Sequence, residues 1–139
     1  MQVVTETVTV LTEGHGLTEV TEQVVDIVRG SSISEGLCTV FIQHTSASLV
    51  IQENADPSAR RDLEYFLNKL VPENDPGFTH TAEGPDDMPS HMKAALTQTA
   101  LSIPITKGRL VLGTWQGIYL WEHRTAPHHR RVVVSCVGR

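Results

Sequence analysis

Between Phe78 and Leu96, in the run FTHTAEGPDDMPSHMKAAL, two histidines and two adjacent carboxylates fall within a dozen residues: His80, Asp86, Asp87 and His91. Imidazole nitrogens and carboxylate oxygens ligate divalent metals and move protons near neutral pH. Gly84, Pro85 and Pro89 interrupt hydrophobic periodicity here, so the segment reads as a loop, and loops held on a rigid scaffold are where catalytic and binding groups collect. A plain polar loop whose aspartates cap the next helix is the alternative. Against it stands a third histidine, His44, which opens the hydroxyl-rich run His44 to Ser48.

The separations between these histidines, 36 and then 11 residues, match none of the short paired spacings of structural zinc sites. Their chemistry points further than their spacing. Three imidazoles that leave one position open suit a catalytic divalent metal, and Asp86 and Asp87 can orient the rings or ligate directly. The remaining histidines, His15, His123, His128 and His129, read as surface or hairpin residues.

Elements that would position these groups follow from periodicity. Val3 to Leu11 alternates with period two and is rich in valine and threonine, a strand. Thr18 is placed to cap a helix over 18 to 29, whose apolar positions Val20, Val24, Ile27 and Val28 repeat at helical spacing. Leu37 to Gln43 is a second strand. A short apolar segment, Leu49 to Ile51, follows the hydroxyl run, so a kinked strand or tight strand pair would set His44 at an edge.

Asp56 before Pro57 starts the next helix, with Leu63, Phe66, Leu67 and Leu70 as its apolar stripe. Pro72 and the NDPG sequence end it. A third helix runs from about Pro89 to Thr99, with His91 in its first turn and Met92, Ala95 and Leu96 inward. Strands then cover Leu101 to Thr106, Arg109 to Thr114, Gly117 to His123 and Arg131 to Val137. This order predicts one α+β domain over 1–139, with a largely antiparallel sheet and helices packed on one face.

Composition narrows the function classes. At 139 residues the chain can bury a core without disulfides, and Cys38 and Cys136, each in a β-branched run, read as free, buried thiols. No apolar run reaches membrane-spanning length and no leader is evident, which predicts a cytoplasmic protein. The net charge of −5 is uneven: residues 1 to 87 hold fifteen of the sixteen carboxylates against four Lys and Arg, while residues 88 to 139 hold seven Lys and Arg against Glu122. That asymmetry fits either an internal electrostatic match or an anion-binding surface on the C-terminal half. Basic residues that are few and not interleaved with aromatics argue against nucleic acid.

Four runs carry a resemblance: QHTSASLVIQENADP (43 to 57), HTAEGPDDMPSH (80 to 91), KGRLVLGTWQGIYLWEHR (107 to 124) and RRV (130 to 132). Together they resemble the YjbQ-like family, named in many collections the secondary thiamine-phosphate synthase family. The resemblance implies a small α+β fold assembled as a homotrimer, with a histidine-lined site for a divalent metal, zinc or magnesium, near subunit contacts. His44, His80 and His91 match its histidines; Glu53, Asp62, Asp86, Asp87 and Glu122 match its carboxylates. Ion pairing with Arg60, Arg61, Arg124 or Arg131 is the plain alternative for these acids.

Under the functional reading Glu53, Asp86, Asp87 and Glu122 are catalytic, and Trp115 and Gln116 line a pocket with a stacking face and an amide. Thr45, Ser46 and Ser48 hold phosphate through hydroxyls, and Lys107, Arg124, Arg130 and Arg131 supply cations. The implied activity joins a hydroxymethylpyrimidine diphosphate to a thiazole phosphate. A metal-dependent hydrolase of a phosphorylated metabolite and a non-catalytic metabolite-binding trimer are the alternatives. One departure stands out: Gln52-Glu53 replaces the family's usual Asn-Glu.

Overall fold

The computed structural model describes residues 1–139. In chain order the elements are β1 (Gln2–Leu11), β2 (Gly16–Glu19), α1 (Thr21–Ser31), β3 (Glu35–Ile42), β4 (Ala47–Glu53), α2 (Pro57–Leu70), α3 (Asp87–Leu96), β5 (Ala100–Thr106), β6 (Arg109–Leu110), β7 (Gln116–Glu122) and β8 (His129–Gly138). All the strand pairs are antiparallel. They form a five-stranded sheet, β1-β8-β3-β5-β6, and a three-stranded sheet, β2-β7-β4. This is the α+β class that the order of elements predicts.

Period-two alternation decides what each strand buries. Val132, Val134 and Cys136 of β8 face inward beside Cys38, Val40 and Ile42 of β3, and they meet Val24 and Val28 of α1 and Ile118 and Leu120 of β7 in one cluster of 18 buried residues. Fully burying such a side chain stabilises the fold by about 1.5–3 kcal/mol. Strand β7 is covered on both faces. Tyr119 and Trp121 point away from the cluster towards α2, where Arg60 Nη1 donates to the Tyr119 hydroxyl at 3.1 Å and Trp121 Nε1 to Glu64 at 2.6 Å.

Several elements differ from their periodicity. Thr18 lies in β2, paired with Leu120, and α1 begins only at Thr21 with no side-chain cap from Val20. An unpaired edge of β7 draws in the four-residue segment Gly16–Glu19, a long-range pairing that local spacing does not record. Strand β6 holds only two residues rather than running to Thr114. Helix α2 starts as anticipated, with Pro57 at its first position and Asp56 accepting from Ser58 N at 2.9 Å. Of its apolar stripe, only Leu67 is buried. Helix α3 starts at Asp87, two residues before Pro89, and buries Ser90 and Lys93 while Ala95 and Leu96 are exposed.

Cys38 and Cys136 are free, fully buried and opposite each other in the β3–β8 register. Burial, with Cys136 alongside, pushes the Cys38 thiol up to about 12. No helix is long and apolar enough to cross a membrane.

Candidate metal centre and its surroundings

The early start of α3 builds the site. Asp87 sits in the first helical turn and His91 one turn later, so both project from the same helix face. His80 arrives from the loop between α2 and α3. Gly84, at φ 102°, bends that loop so that the Asp87 amide reaches the Gly84 carbonyl at 3.4 Å. Asp87 Oδ2 then lies 2.6 Å from His80 Nε2 and 3.2 Å from His91 Nε2. One donor atom from each residue falls within 4.8 Å of the others. Asp87 is buried, His80 exposed and His91 between them, the profile of a site at a rim.

The two acceptors on either side of the His91 ring point to a positive charge beside Asp87. The Thr45 carbonyl, 3.0 Å from His91 Nδ1, can only accept, so that nitrogen carries hydrogen. On the other side of the ring, Nε2 faces the Asp87 carboxylate, also an acceptor. A neutral imidazole has one N–H. With Asp87 ionised, as its lowered pKa favours, both sides are satisfied by an imidazolium or by a cation between Nε2 and Oδ2. Two imidazole nitrogens and one carboxylate oxygen make a donor set that fits a zinc-type ion, and a ligand histidine with its second N–H on a backbone carbonyl is ordinary metal-site support.

Arg124 and Asp86 make the surroundings rigid. Arg124 Nη1 donates to Asp87 Oδ1 at 2.7 Å and Arg124 Nε to Asp86 Oδ2 at 2.8 Å, while the Thr125 amide reaches Asp86 Oδ2 at 3.0 Å. Burial raises the Asp86 carboxyl, but the Arg124 and Thr125 hydrogen bonds outweigh it and hold it down at about 2. Burial opposes ionisation of Asp87 too. Its hydrogen bond with His80 and the nearby charges of His91 and Arg124 nevertheless keep it below the usual carboxylate range. Neither aspartate caps α3 through its side chain.

The structure separates several residues that the sequence groups together. His44 is not part of the cluster: its Nε2 accepts the Arg131 amide at 2.8 Å, and its Nδ1 faces Arg130 Nη1 at 3.4 Å. The β3–β8 ladder ends at Ile42 and Val132, so the Arg131 amide takes an imidazole in place of a strand carbonyl. Burial and the Arg130 charge both lower the His44 pKa. With both nitrogens facing donors, His44 is not disposed as a ligand here, and Asp87 provides the third donor atom instead.

Glu122, expected as a catalytic carboxylate, is fully buried and paired with Arg130, with Thr12 donating to it at 2.7 Å, so the structure places it in an internal ion pair. Arg124, spent on Asp86 and Asp87, is not a free phosphate-holding cation. Arg130 is likewise engaged, by Glu122 and Ser46. Ser48 is buried, with its hydroxyl 2.9 Å from His123 Nε2 and 2.6 Å from the Thr97 hydroxyl, and it does not line an anion site. Thr45 borders the centre through its carbonyl on His91 Nδ1, while the Ser46 hydroxyl and carbonyl accept from Arg130. Arg131 lies exposed on β8.

Glu53, Trp115 and Gln116 sit at the other end of the small sheet. Glu53 pairs with Gln116 while Ala47 pairs with Glu122, and six residues of strand put the two ends about 20 Å apart. Gln116 Oε1 accepts the Gly113 amide at 2.7 Å, a turn contact, and Trp115 is 63 % exposed. Asp62 is exposed on α2.

One histidine expected at the surface is internal. His123 is 1 % exposed, and its Nδ1 has no hydrogen-bond partner. Burial pushes its pKa down to about 3. Alternation along YLWEH does signal this, because Tyr119, Trp121 and His123 share one strand face.

Comparison with known proteins agrees with the fold. The family model described as UPF0047 protein YjbQ-like matches residues 6–139. A UPF0047 protein of Synechocystis is 50% identical, over 96% of this chain and 90% of the relative. The YjbQ protein of Escherichia coli O157:H7 is 44% identical, over 86% of this chain and 84% of its own. Among solved structures, a protein of Clostridium acetobutylicum described as an uncharacterized member of the same family superposes with a TM-score of 0.84 at 35% identity, covering 96% of this chain and 99% of that one. A hypothetical protein of Aeropyrum pernix gives 0.89 at 28% identity, covering 98% and 99%. With the profile matched from residue 6 to the last residue and relatives this similar, the chain belongs to the YjbQ-like UPF0047 family.

Proposed function

We propose that the chain is a metal-dependent enzyme acting on a phosphorylated small molecule, with His80, Asp87 and His91 holding a divalent cation. The observation that carries this reading is His91, whose two ring nitrogens both face acceptors. Two imidazoles favour zinc over magnesium, which prefers an all-oxygen shell. Three protein ligands leave a fourth position for water or a substrate oxygen.

The chain's own residues do the positioning. The Thr45 carbonyl holds His91 Nδ1–H, which presents Nε2 outward. Arg124 takes Asp87 Oδ1, which leaves Oδ2 for the two histidines, and Asp86 fixes Arg124 in turn. Because Arg124 and Arg130 are consumed by internal carboxylates, the cation would be the main positive charge available to a phosphoryl group here. Bound there, it supplies charge that stabilises an attacked or departing phosphoryl oxygen.

Within this class the family resemblance suggests thiamine-phosphate synthase-like condensation, with hydrolysis of a phosphorylated metabolite as the alternative reaction. A homotrimer belongs to the same proposal. So does a cytoplasmic location, which two unpaired thiols suit.

The test begins with metal content after zinc loading and dialysis, comparing wild type with His91→Ala and Asp87→Asn. Stoichiometric metal in the wild type, lost in both variants, is expected. Wild type that retains no more zinc than Asp87→Asn overturns the centre. Zinc-loaded protein is then offered phosphorylated metabolites, including the hydroxymethylpyrimidine diphosphate and thiazole phosphate pair, scored for product and for thermal stabilisation. Metal-dependent product supports the enzyme; stabilisation without product assigns a binding protein instead.

A further inference from the structure

The hairpin joining β5 to β6 turns on Lys107 and Gly108, with φ of 52° and 76°. Two successive left-handed residues make the tight turn that favours Asn-Gly, and a lysine in the first place carries a steric cost that asparagine or glycine largely avoids. Strain of this kind persists where surrounding structure holds it. Here the Gly108 amide donates to the Ser34 carbonyl at 3.0 Å, and Glu35 accepts from the Lys107 amide at 3.2 Å and the Thr106 hydroxyl at 2.9 Å. The turn is pinned, and Lys107 projects from a fixed point.

Opposite this turn lies the last part of α1, and between them is a cleft of about 520 Å³. Arg29, Lys107 and Arg109 line it, and the half-buried Val25, Leu110 and Leu112 contribute its apolar surface, with the core residue Val28 beneath them. Three cations converge on one cleft of a chain whose net charge is −5. Their neutralisation is weak. Arg29 pairs only with Asp26, at 3.4 Å and with both side chains more than two-thirds exposed, and neither Lys107 nor Arg109 enters a salt bridge. Glu35, the other nearby acid, is held by the turn's own amide and hydroxyl and forms no salt bridge with the three basic residues.

We propose that this cleft binds a small organic phosphate, its anionic head against Arg29, Lys107 and Arg109 and its apolar body on Val25, Leu110 and Leu112. The volume lies within the range of small-molecule sites. A single cleft without an aromatic stacking platform does not suit a nucleic acid. It is also separate from the metal centre. Strand β5 runs from Ala100, opposite Phe41 and close to the His44 corner, to Thr106, opposite Glu35, about 20 Å away. The inference therefore stands or falls independently of the proposed metal chemistry.

The test is an amide NMR titration of the full chain with phenyl phosphate, inorganic phosphate and benzyl alcohol. Saturable shifts with phenyl phosphate, centred on 25–29 and 107–110 and weakened by salt, are expected. Inorganic phosphate and benzyl alcohol should each bind more weakly. The Lys107→Gly, Arg109→Gln double variant should lose about tenfold in affinity for phenyl phosphate. Glycine relieves the strained position, so Lys107→Gly alone should melt no lower than wild type, a control for folding. No saturable shift, shifts confined to 80–91, or undiminished affinity in the double variant would overturn the site. Inorganic phosphate binding as tightly as phenyl phosphate would overturn the role of the apolar surface.

Discussion

At the scale of single residues, hydrogen-bond capacity separates the histidines more sharply than their spacing does. His91 has acceptors on both sides, His44 has donors on both sides, and His123 has one partner and one buried nitrogen with none. The first invites a cation, the second does not, and the third must stay neutral. His123 gives a prediction with a definite sign. Its folded pKa, about 3, lies below its ordinary 6.5, so between those values the unfolded chain binds the extra proton. Its contribution to stability is fully present above about pH 6.5 and is lost progressively as pH falls towards about 3. Urea denaturation across that window should show a shallower decline for His123→Gln than for wild type, even if the variant is less stable throughout. Parallel pH dependences would count against a neutral, buried His123.

At the scale of elements, α2 carries its information on two faces. Leu67 is 4 % exposed, yet Phe66 and Leu70, on the same apolar stripe, are 60 % and 56 % exposed, and Leu96 of α3 nearby is 61 % exposed. Leu67→Ala should therefore cost about 2–5 kcal/mol of stability. Phe66→Ala should fall within about 0.5 kcal/mol as long as solvent covers that face. Chemical denaturation of both variants at low protein concentration checks the contrast. Equal losses would mean that the stripe is packed more deeply than its exposure indicates. Periodicity identified the stripe correctly, but amphipathic spacing does not say whether every apolar position meets this chain's own core.

At the scale of the whole molecule, the five-stranded sheet has one face on the core and one outside. In register across its outer face lie Val3, Val137 and Leu37, each 38 % to 66 % exposed, followed by Pro104. Another row contains Phe41, 44 % exposed, next to Val133. Contiguous apolar exposure is characteristic of association surfaces and fits the proposed homotrimer. Sedimentation equilibrium should give three times the 15.3 kDa chain mass, and Phe41→Glu combined with Val137→Lys should lower it. A 15.3 kDa species throughout the micromolar range would remove the trimer.

The sequence by itself determined the α+β class, most strand and helix positions, the Asp56–Pro57 start of α2, the two buried thiols and the loop that carries His80. Each depends on residues close together in the chain, where period two, period 3.6, capping and turn chemistry operate directly. It also carried the Asp87–His91 spacing of one helical turn, which became readable once α3 was seen to start before Pro89. Only the tertiary structure decided that Asp87 rather than His44 completes the cluster, that Arg124 and Glu122 are spent on internal pairs, and that Glu53 and Trp115 lie at the far end of the small sheet. Those outcomes depend on which strand ends run out of ladder partners and which buried charges must find a counter-charge. Both are long-range balances between hydrogen bonding and desolvation, and residue spacing does not record them.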